Sequence, residues 1–175
     1  MHWDPPVNDV AYPEYAVRPG MTVVAYIPPI RKWILVHEFP TGERRFGVNY
    51  PVYYRLSKSP LTFGGAEGIP IVIDGVAPNA SPYVVWSPLG GPFGTIVVSD
   101  ADNPEVYTNR FGGDRNKWEK HATPAGATYS RAIHILSRHP DHLLIFGGET
   151  FDDLGLGLLT PFTATVVNLT KIVSR

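Results

Sequence analysis

The chain has 175 residues, with 15 basic and 16 acidic side chains, so it is long enough for one domain or part of a larger one and is almost neutral. This balance argues against nucleic acid or a membrane surface as a partner, because a nearly neutral chain attracts neither. It contains no cysteine, which excludes a disulfide scaffold, and no apolar run approaches the roughly 20 residues of a membrane span.

The composition favours strands over helices. The 18 prolines and 17 glycines argue against long helices, and the β-branched and aromatic residues indicate many short strands. The first residues have neither the basic nor the apolar region of a secretion signal, so no signal peptide is expected in this chain.

One pattern occurs three times along the chain. Each copy has a short apolar strand, a turn built from Pro, Gly or charged residues, and a second apolar strand that ends in an acidic residue. The copies are TVVAYIPPIRKWILVHE, YVVWSPLGGPFGTIVVSD and RAIHILSRHPDHLLIFGGE, which begin at Thr22, Tyr83 and Arg131 and end at Glu38, Asp100 and Glu149.

A third strand is predicted after each copy, at PVYYRLS, EVYTNR and TATVVNL, and a fourth at IPIVI and KWEKHA. Four antiparallel strands that recur about every 50 residues are typical of β-propeller blades. The predicted fold is all-β, with about three four-stranded antiparallel blades, in residues 15–78, 79–127 and 128–175, of a five- or six-bladed ring. A Greek-key sandwich is the alternative, because turn spacing fits both folds.

Three blades do not close a ring, since propellers typically have about 4 to 8. The chain is therefore expected to be part of a longer protein, or to associate with a second copy of itself through the open edges of the propeller.

The repeat also predicts where polar residues meet. In each copy the start of the first strand and the end of the second lie at the same edge, because the two strands are antiparallel. One rim should therefore collect carboxylates, arginines and tyrosines, namely Arg18, Glu38, Tyr83, Asp100, Tyr129, Arg131 and Glu149. Carboxylates at such a mouth suit glycoside hydrolysis, in which one acid protonates the leaving oxygen and another attacks the anomeric carbon or activates water.

These residues also have plainer interpretations. An acidic residue at a strand end is most often a solvated turn residue, which is the favoured interpretation for Asp100 and Glu149. Glu38 differs because it follows an apolar strand directly and precedes Phe39, where a partly buried carboxylate needs a partner. Four aromatic residues suit either stacking against sugar rings or core packing, namely Tyr53, Tyr54, Tyr83 and Trp86.

The histidines do not predict a metal site. His139 and His142 fall in the turn on the rim opposite Glu38, and His37 alternates with Glu38 in side-chain direction. No metal ligand is assigned, and no cofactor is implied.

The ordered set RPGMTVVAYIPPIRKWILVHEF, PVYYRLSKSPLTF, SPYVVWSPLGGPFGTIVVSD and YSRAIHIL…LLIFGGE resembles the second half of fungal sialidase-like propeller proteins, in particular glycoside hydrolase family 93. The resemblance extends from about Tyr15 to the end of the chain. Three features depart from it: NRFGGDRNKW is a degenerate Asp-box, a full arginine triad cannot be assembled, and PPIRKW replaces an Asn-Gly turn.

The resemblance implies a secreted, six-bladed enzyme that releases short arabinose oligosaccharides from the ends of α-1,5-arabinan with retention. It implies Glu38 as the nucleophile and Tyr129 as its supporting tyrosine, with the general acid/base on a blade absent from this chain. The sugar contacts that we expect are Arg18, Tyr83, Trp86, Arg131 and Glu149. The partner is then an oligosaccharide or polysaccharide.

Two other functions stay open from the sequence. A carbohydrate-binding propeller without catalysis would keep the aromatic mouth and lack the acid. A propeller-type polysaccharide lyase would abstract a proton with His or Tyr and leave an unsaturated product, because the fold does not determine the chemistry.

Overall fold

The computed structural model describes residues 22–38, 52–63, 66–75, 82–99, 105–122, 130–136, 138–147 and 163–173. Within these ranges the chain forms eleven strands in three antiparallel sheets. The first sheet contains β1 (Thr22–Ile27), β2 (Lys32–Glu38), β3 (Val52–Ser57) and β4 (Ile69–Pro70); the second contains β5 (Tyr83–Ser87), β6 (Thr95–Ser99), β7 (Glu105–Asn109) and β8 (Trp118–Ala122); the third contains β9 (Ser130–Leu136), β10 (His139–Gly147) and β11 (Thr163–Asn168).

Strands that follow one another in the chain are neighbours in every sheet, in the orders β1-β2-β3-β4, β5-β6-β7-β8 and β9-β10-β11. A Greek key needs a strand that returns beside the first, so the sandwich alternative is wrong. The first strands of the three sheets are also neighbours, since β1 contacts β5 and β5 contacts β9. Up-and-down sheets whose first strands lie side by side are arranged as propeller blades are.

The end of the described chain is helical. β11 is followed by α1 (Leu169–Val173), and no fourth strand of the third sheet lies in the described ranges. The predicted fourth strands of the other two sheets are present, although β4 has only two residues. No helix in these ranges is long and apolar enough to cross a membrane.

Two of the turns that join the first and second strands of a sheet contain a residue with a positive φ. Between β1 and β2, Pro28–Ile30 forms a 3-10 turn, and Arg31 takes a left-handed conformation with φ of 52°. Between β5 and β6, Gly94 has φ of +67°, and a Cβ there would clash with the Ser87 carbonyl. Glycine is therefore needed at this position.

The described residues form two core clusters, one on each side of the second sheet. The first cluster joins the first and second sheets through Ile27, Ile34, Val36, Val52, Tyr54, Ile71, Val84, Ile96, Val98, Tyr107 and Trp118. The second cluster joins the second and third sheets through Val97, Val106, Ile133, Leu143, Ile145, Val167 and Leu169. Burial of apolar side chains such as these is the dominant stabilising contribution to a fold.

The degenerate Asp-box forms the turn between β7 and β8. Asn109 closes it, since its Oδ1 accepts hydrogen bonds from the backbone N–H of Phe111 and of Gly113, and its Nδ2 donates to the Asp114 carbonyl at 2.7 Å. Tyr54 of the first sheet donates to the Gly113 carbonyl at 2.7 Å. The turn thus connects two neighbouring sheets, and burial raises the pKa of Tyr54.

Candidate active site

The strand registers bring the start of the first strand and the end of the second strand of each sheet to one rim, as the repeat predicts. Thr22 pairs with His37, Tyr83 with Ser99, and Ser130 with Gly147. We call the edge defined by these six residues the mouth rim. The opposite edge, which we call the turn rim, carries the connections β1–β2, β5–β6 and β9–β10.

Glu38 is the last residue of β2 and pairs with Val52 of β3, so its backbone lies at the mouth rim. Beside it His37 and Tyr53 are cross-strand partners whose rings stack, with centroids 6.0 Å apart and planes at 25°. Successive side chains of a strand alternate between its two faces, so this pair belongs to the face opposite to that of the Glu38 position. The sequence offered Tyr53 only as one of several aromatic residues, because cross-strand pairing is not visible before the register is known.

The other predicted site residues fall into three groups. Tyr83 lies at the mouth rim, is half-buried, and packs against the second core cluster. Arg18, Tyr129 and Glu149 lie outside the described residues, and for Glu38 and Arg131 the structure describes the backbone alone. The predicted nucleophilic and orienting roles therefore stay predictions.

Trp86 is three residues further along β5, next to the turn rim. Its indole N–H donates to the Phe93 carbonyl at 3.0 Å, and its ring packs against the first core cluster. These contacts explain its position through packing and the closure of the β5–β6 turn. Its predicted contact with sugar stays a prediction.

The described residues bring one set of metal-ligand side chains together, and it lies on the turn rim. His139, Asp141 and His142 offer ligand atoms within 4.8 Å of one another. Sequence reasoning placed the two histidines in the turn opposite Glu38 and did not consider the aspartate. The register shift in β10 that brings the three side chains together is visible only in the structure.

The comparisons with known proteins give one consistent result. No family model matches the chain, and no curated protein matches it either. Among solved structures, it is similar to the glycoside hydrolase family 93 α-L-arabinofuranosidase of Fusarium graminearum in complex with arabinobiose, with 40% identity over 88% of this chain and a TM-score of 0.76. The three sheets are blades of a β-propeller.

Two further propeller structures support the same assignment. A variant of the Fusarium enzyme with one glutamate replaced by alanine, in complex with an iminosugar inhibitor, is 39% identical over 88% of the chain with a TM-score of 0.76. A Penicillium chrysogenum α-L-arabinanase in complex with arabinobiose is 31% identical over 98% of the chain, again with a TM-score of 0.76.

The match is partial with respect to these enzymes. The chain covers 43% of the Fusarium enzyme and 47% of the Penicillium enzyme, so it spans a little under half of their length. Both predictions drawn from the sequence, a partial propeller and a resemblance to family 93, are confirmed.

Proposed function

We propose that this chain forms the nucleophile-bearing part of an extracellular glycoside hydrolase that acts on arabinan. The observation that carries the proposal is the 40% identity, over 88% of the chain, to an arabinofuranosidase in complex with arabinobiose. The backbone agrees with it, because Glu38 ends β2 at the mouth rim.

The proposed reaction is exo-acting hydrolysis of α-1,5-arabinan with retention. Glu38 attacks the anomeric carbon and forms a glycosyl-enzyme ester, while a carboxylic acid protonates the leaving oxygen. Water then cleaves the ester, with that second carboxylate acting as the base. Tyr129 holds Glu38 ionised by hydrogen bonding, and Arg18, Tyr83, Arg131 and Glu149 contact the sugar.

The general acid/base is proposed to come from blades beyond this chain, because the chain covers 43% of the Fusarium enzyme. One carboxylate cannot both attack and protonate the leaving group in the same step. The isolated 175 residues should therefore show little or no turnover of arabinan, even when folded.

The test is complementation. The half of the Fusarium enzyme that this chain does not cover is fused to it, and release of arabinose oligosaccharides from linear arabinan is measured. Glu38→Gln should lower turnover by more than about a thousandfold, because Gln keeps the shape but cannot form the ester. Tyr129→Phe should cost less, about ten- to hundredfold, because it affects only orientation.

Glu67→Gln is the matched control for Glu38→Gln. Glu67 is exposed and forms an ion pair at 3.0 Å with Arg115 of the β7–β8 turn, on the turn rim. Such exposed pairs contribute about 0–1 kcal/mol to the stability of a fold. Glu67→Gln should therefore leave the protein folded and its turnover unchanged. If Glu38→Gln were as active as this control, Glu38 would not be the nucleophile.

The same assay separates the two other functions. A fused wild-type protein that binds arabinobiose without turnover would indicate a carbohydrate-binding propeller. A product that absorbs in the ultraviolet would indicate a lyase, since elimination leaves a double bond that hydrolysis does not. Nuclear magnetic resonance of the first product would show whether the anomeric configuration is retained.

The propeller edges are proposed to self-associate when the chain is alone. Val24 and Tyr26 of β1 are 38% and 41% exposed, and Val166 of β11 is 51% exposed. Exposed apolar patches of this kind mark interaction surfaces. Sedimentation velocity should show association that Tyr26→Lys weakens, and a monomer at high concentration would contradict it.

A further inference from the structure

The β9–β10 hairpin brings two imidazoles and a carboxylate together. The rings of His139 and His142 have centroids 5.5 Å apart with planes at 74°, and Nδ1 of His142 lies 2.9 Å from Oδ1 of Asp141. Ligand atoms of all three side chains lie within 4.8 Å of one another. None of the three contributes to the two core clusters.

An irregularity in β10 explains why these side chains converge. His139 pairs with Leu136, but the next residue of β9, Ile135, pairs with Leu143, so residues 140–142 have no partner on β9. In a regular strand, residues three apart point to opposite faces. The bulge redirects them, which is a recurrent role of bulges in forming sites.

The bulge is fixed to the neighbouring sheet. The Ser87 hydroxyl donates to the Pro140 carbonyl at 3.0 Å, and Ser87 is fully buried at the end of β5. Pro140 itself has a restricted backbone. The hairpin therefore presents His139, Asp141 and His142 from a position held by a contact between sheets, which lowers the ordering cost of binding a ligand there.

We propose that His139, Asp141 and His142 bind one divalent transition metal ion of the Zn²⁺ class. Two imidazoles and a carboxylate are donors that this class prefers. Metal–ligand bonds of about 2.0–2.2 Å place two ligands of a tetrahedral ion about 3.4 Å apart, so small side-chain rotations from the observed arrangement suffice.

The exposure of these side chains allows the rotations. His139 is exposed, and the side chains of Asp141 and His142 are each 34% exposed. Three protein ligands leave the fourth position to water. All three ligands lie on β10, so the ion holds the bulge at residues 140–142 in place. Because the site is on the turn rim and Glu38 is on the mouth rim, the ion takes no part in sugar chemistry.

The proposal is tested by calorimetric titration of the tag-free, chelator-treated chain with Zn²⁺. We expect one equivalent to bind. His139→Gln and His142→Gln should each weaken binding by at least about tenfold, and Asp141→Asn by about tenfold. His134→Gln is the matched control, because His134 is an exposed histidine of β9 outside the cluster, and it should leave the affinity unchanged.

Thermal unfolding gives an independent measurement. An ion that binds only the folded chain stabilises it, so excess Zn²⁺ should raise the melting temperature of the wild type and of His134→Gln, but not that of the His139→Gln/His142→Gln double variant. Circular dichroism checks that the variants are folded. Absence of one-equivalent binding, or equal affinity in the double variant and the wild type, would overturn the proposal.

Discussion

The second and first sheets differ in how many of their faces are covered. All five residues of β6 are buried, since Ile96 belongs to the cluster shared with the first sheet and Val97 to the cluster shared with the third. In the first sheet Val36 is fully buried, whereas Val24 and Tyr26 are 38% and 41% exposed on the other face. Among the described residues, nothing packs over that face as the third sheet packs over the second.

β1 and β6 differ in what packs around them and not in the apolar character of their sequences. TVVAYI in β1 is as continuously apolar as TIVVS in β6, and such runs are typical of strands buried on both faces. The exposed face of β1 therefore carries apolar residues of the kind found in a blade that is covered on both sides. This agrees with the similarity to enzymes of which the chain covers a little under half.

The largest effect should come from the same substitution made in the two sheets. Val97→Ala in β6 should lower the free energy of unfolding by about 2–3 kcal/mol, because it removes two buried methyl groups and leaves a cavity. Val24→Ala in β1 should cost at most about 1 kcal/mol, the range of strand propensity. Urea unfolding at low protein concentration measures both values.

The concentration dependence of Val24→Ala sharpens the comparison. If a second copy covers β1 at high concentration, the cost of Val24→Ala should grow with concentration while that of Val97→Ala stays constant. Equal costs at low concentration would show that β1 is covered within one chain, and the contrast between the two sheets would be wrong.

Much of the fold was predictable from the sequence, because apolar strands and turn residues repeat together. The third strands and the fourth strands at IPIVI and KWEKHA were located correctly from this pattern. The order of strands followed from short connections, and the meeting of strand starts and ends at the mouth rim followed from antiparallel pairing.

The details that the sequence did not predict depend on register and on contacts between sheets. The bulge at residues 140–142 shifts the pairing of β10, and no local signal in SRHPDH sets how many residues stay unpaired. The stacking of His37 on Tyr53 requires the β2–β3 register. The hydrogen bond from Tyr54 to Gly113 joins residues that are distant in sequence, so only the packed sheets show it.

A smaller effect is expected from removing one buried hydroxyl. Tyr54 is fully buried and donates to the Gly113 carbonyl, so Tyr54→Phe leaves a carbonyl unsatisfied and should cost about 1–3 kcal/mol. Tyr26→Phe, on the exposed face of β1, should change stability by less than about 0.5 kcal/mol. Urea unfolding compares the two, and equal costs would mean that the contact between the sheets contributes nothing.

The smallest effect concerns the pH dependence of the second sheet. His121 Nε2 is hydrogen-bonded to Thr108 Oγ1 at 2.8 Å, and burial lowers the pKa of His121, opposed by the Glu119 carboxylate and reinforced by Arg110. Below pH about 6.5 the unfolded chain therefore binds more protons than the folded one, so stability should fall as the pH drops and level off below the folded pKa. His121→Gln should flatten the dependence of stability on pH in this range. His134→Gln, at an exposed position, should leave that dependence unchanged. Urea midpoints between pH 8 and pH 5 measure the slope, and an unchanged slope in His121→Gln would show that another group controls it.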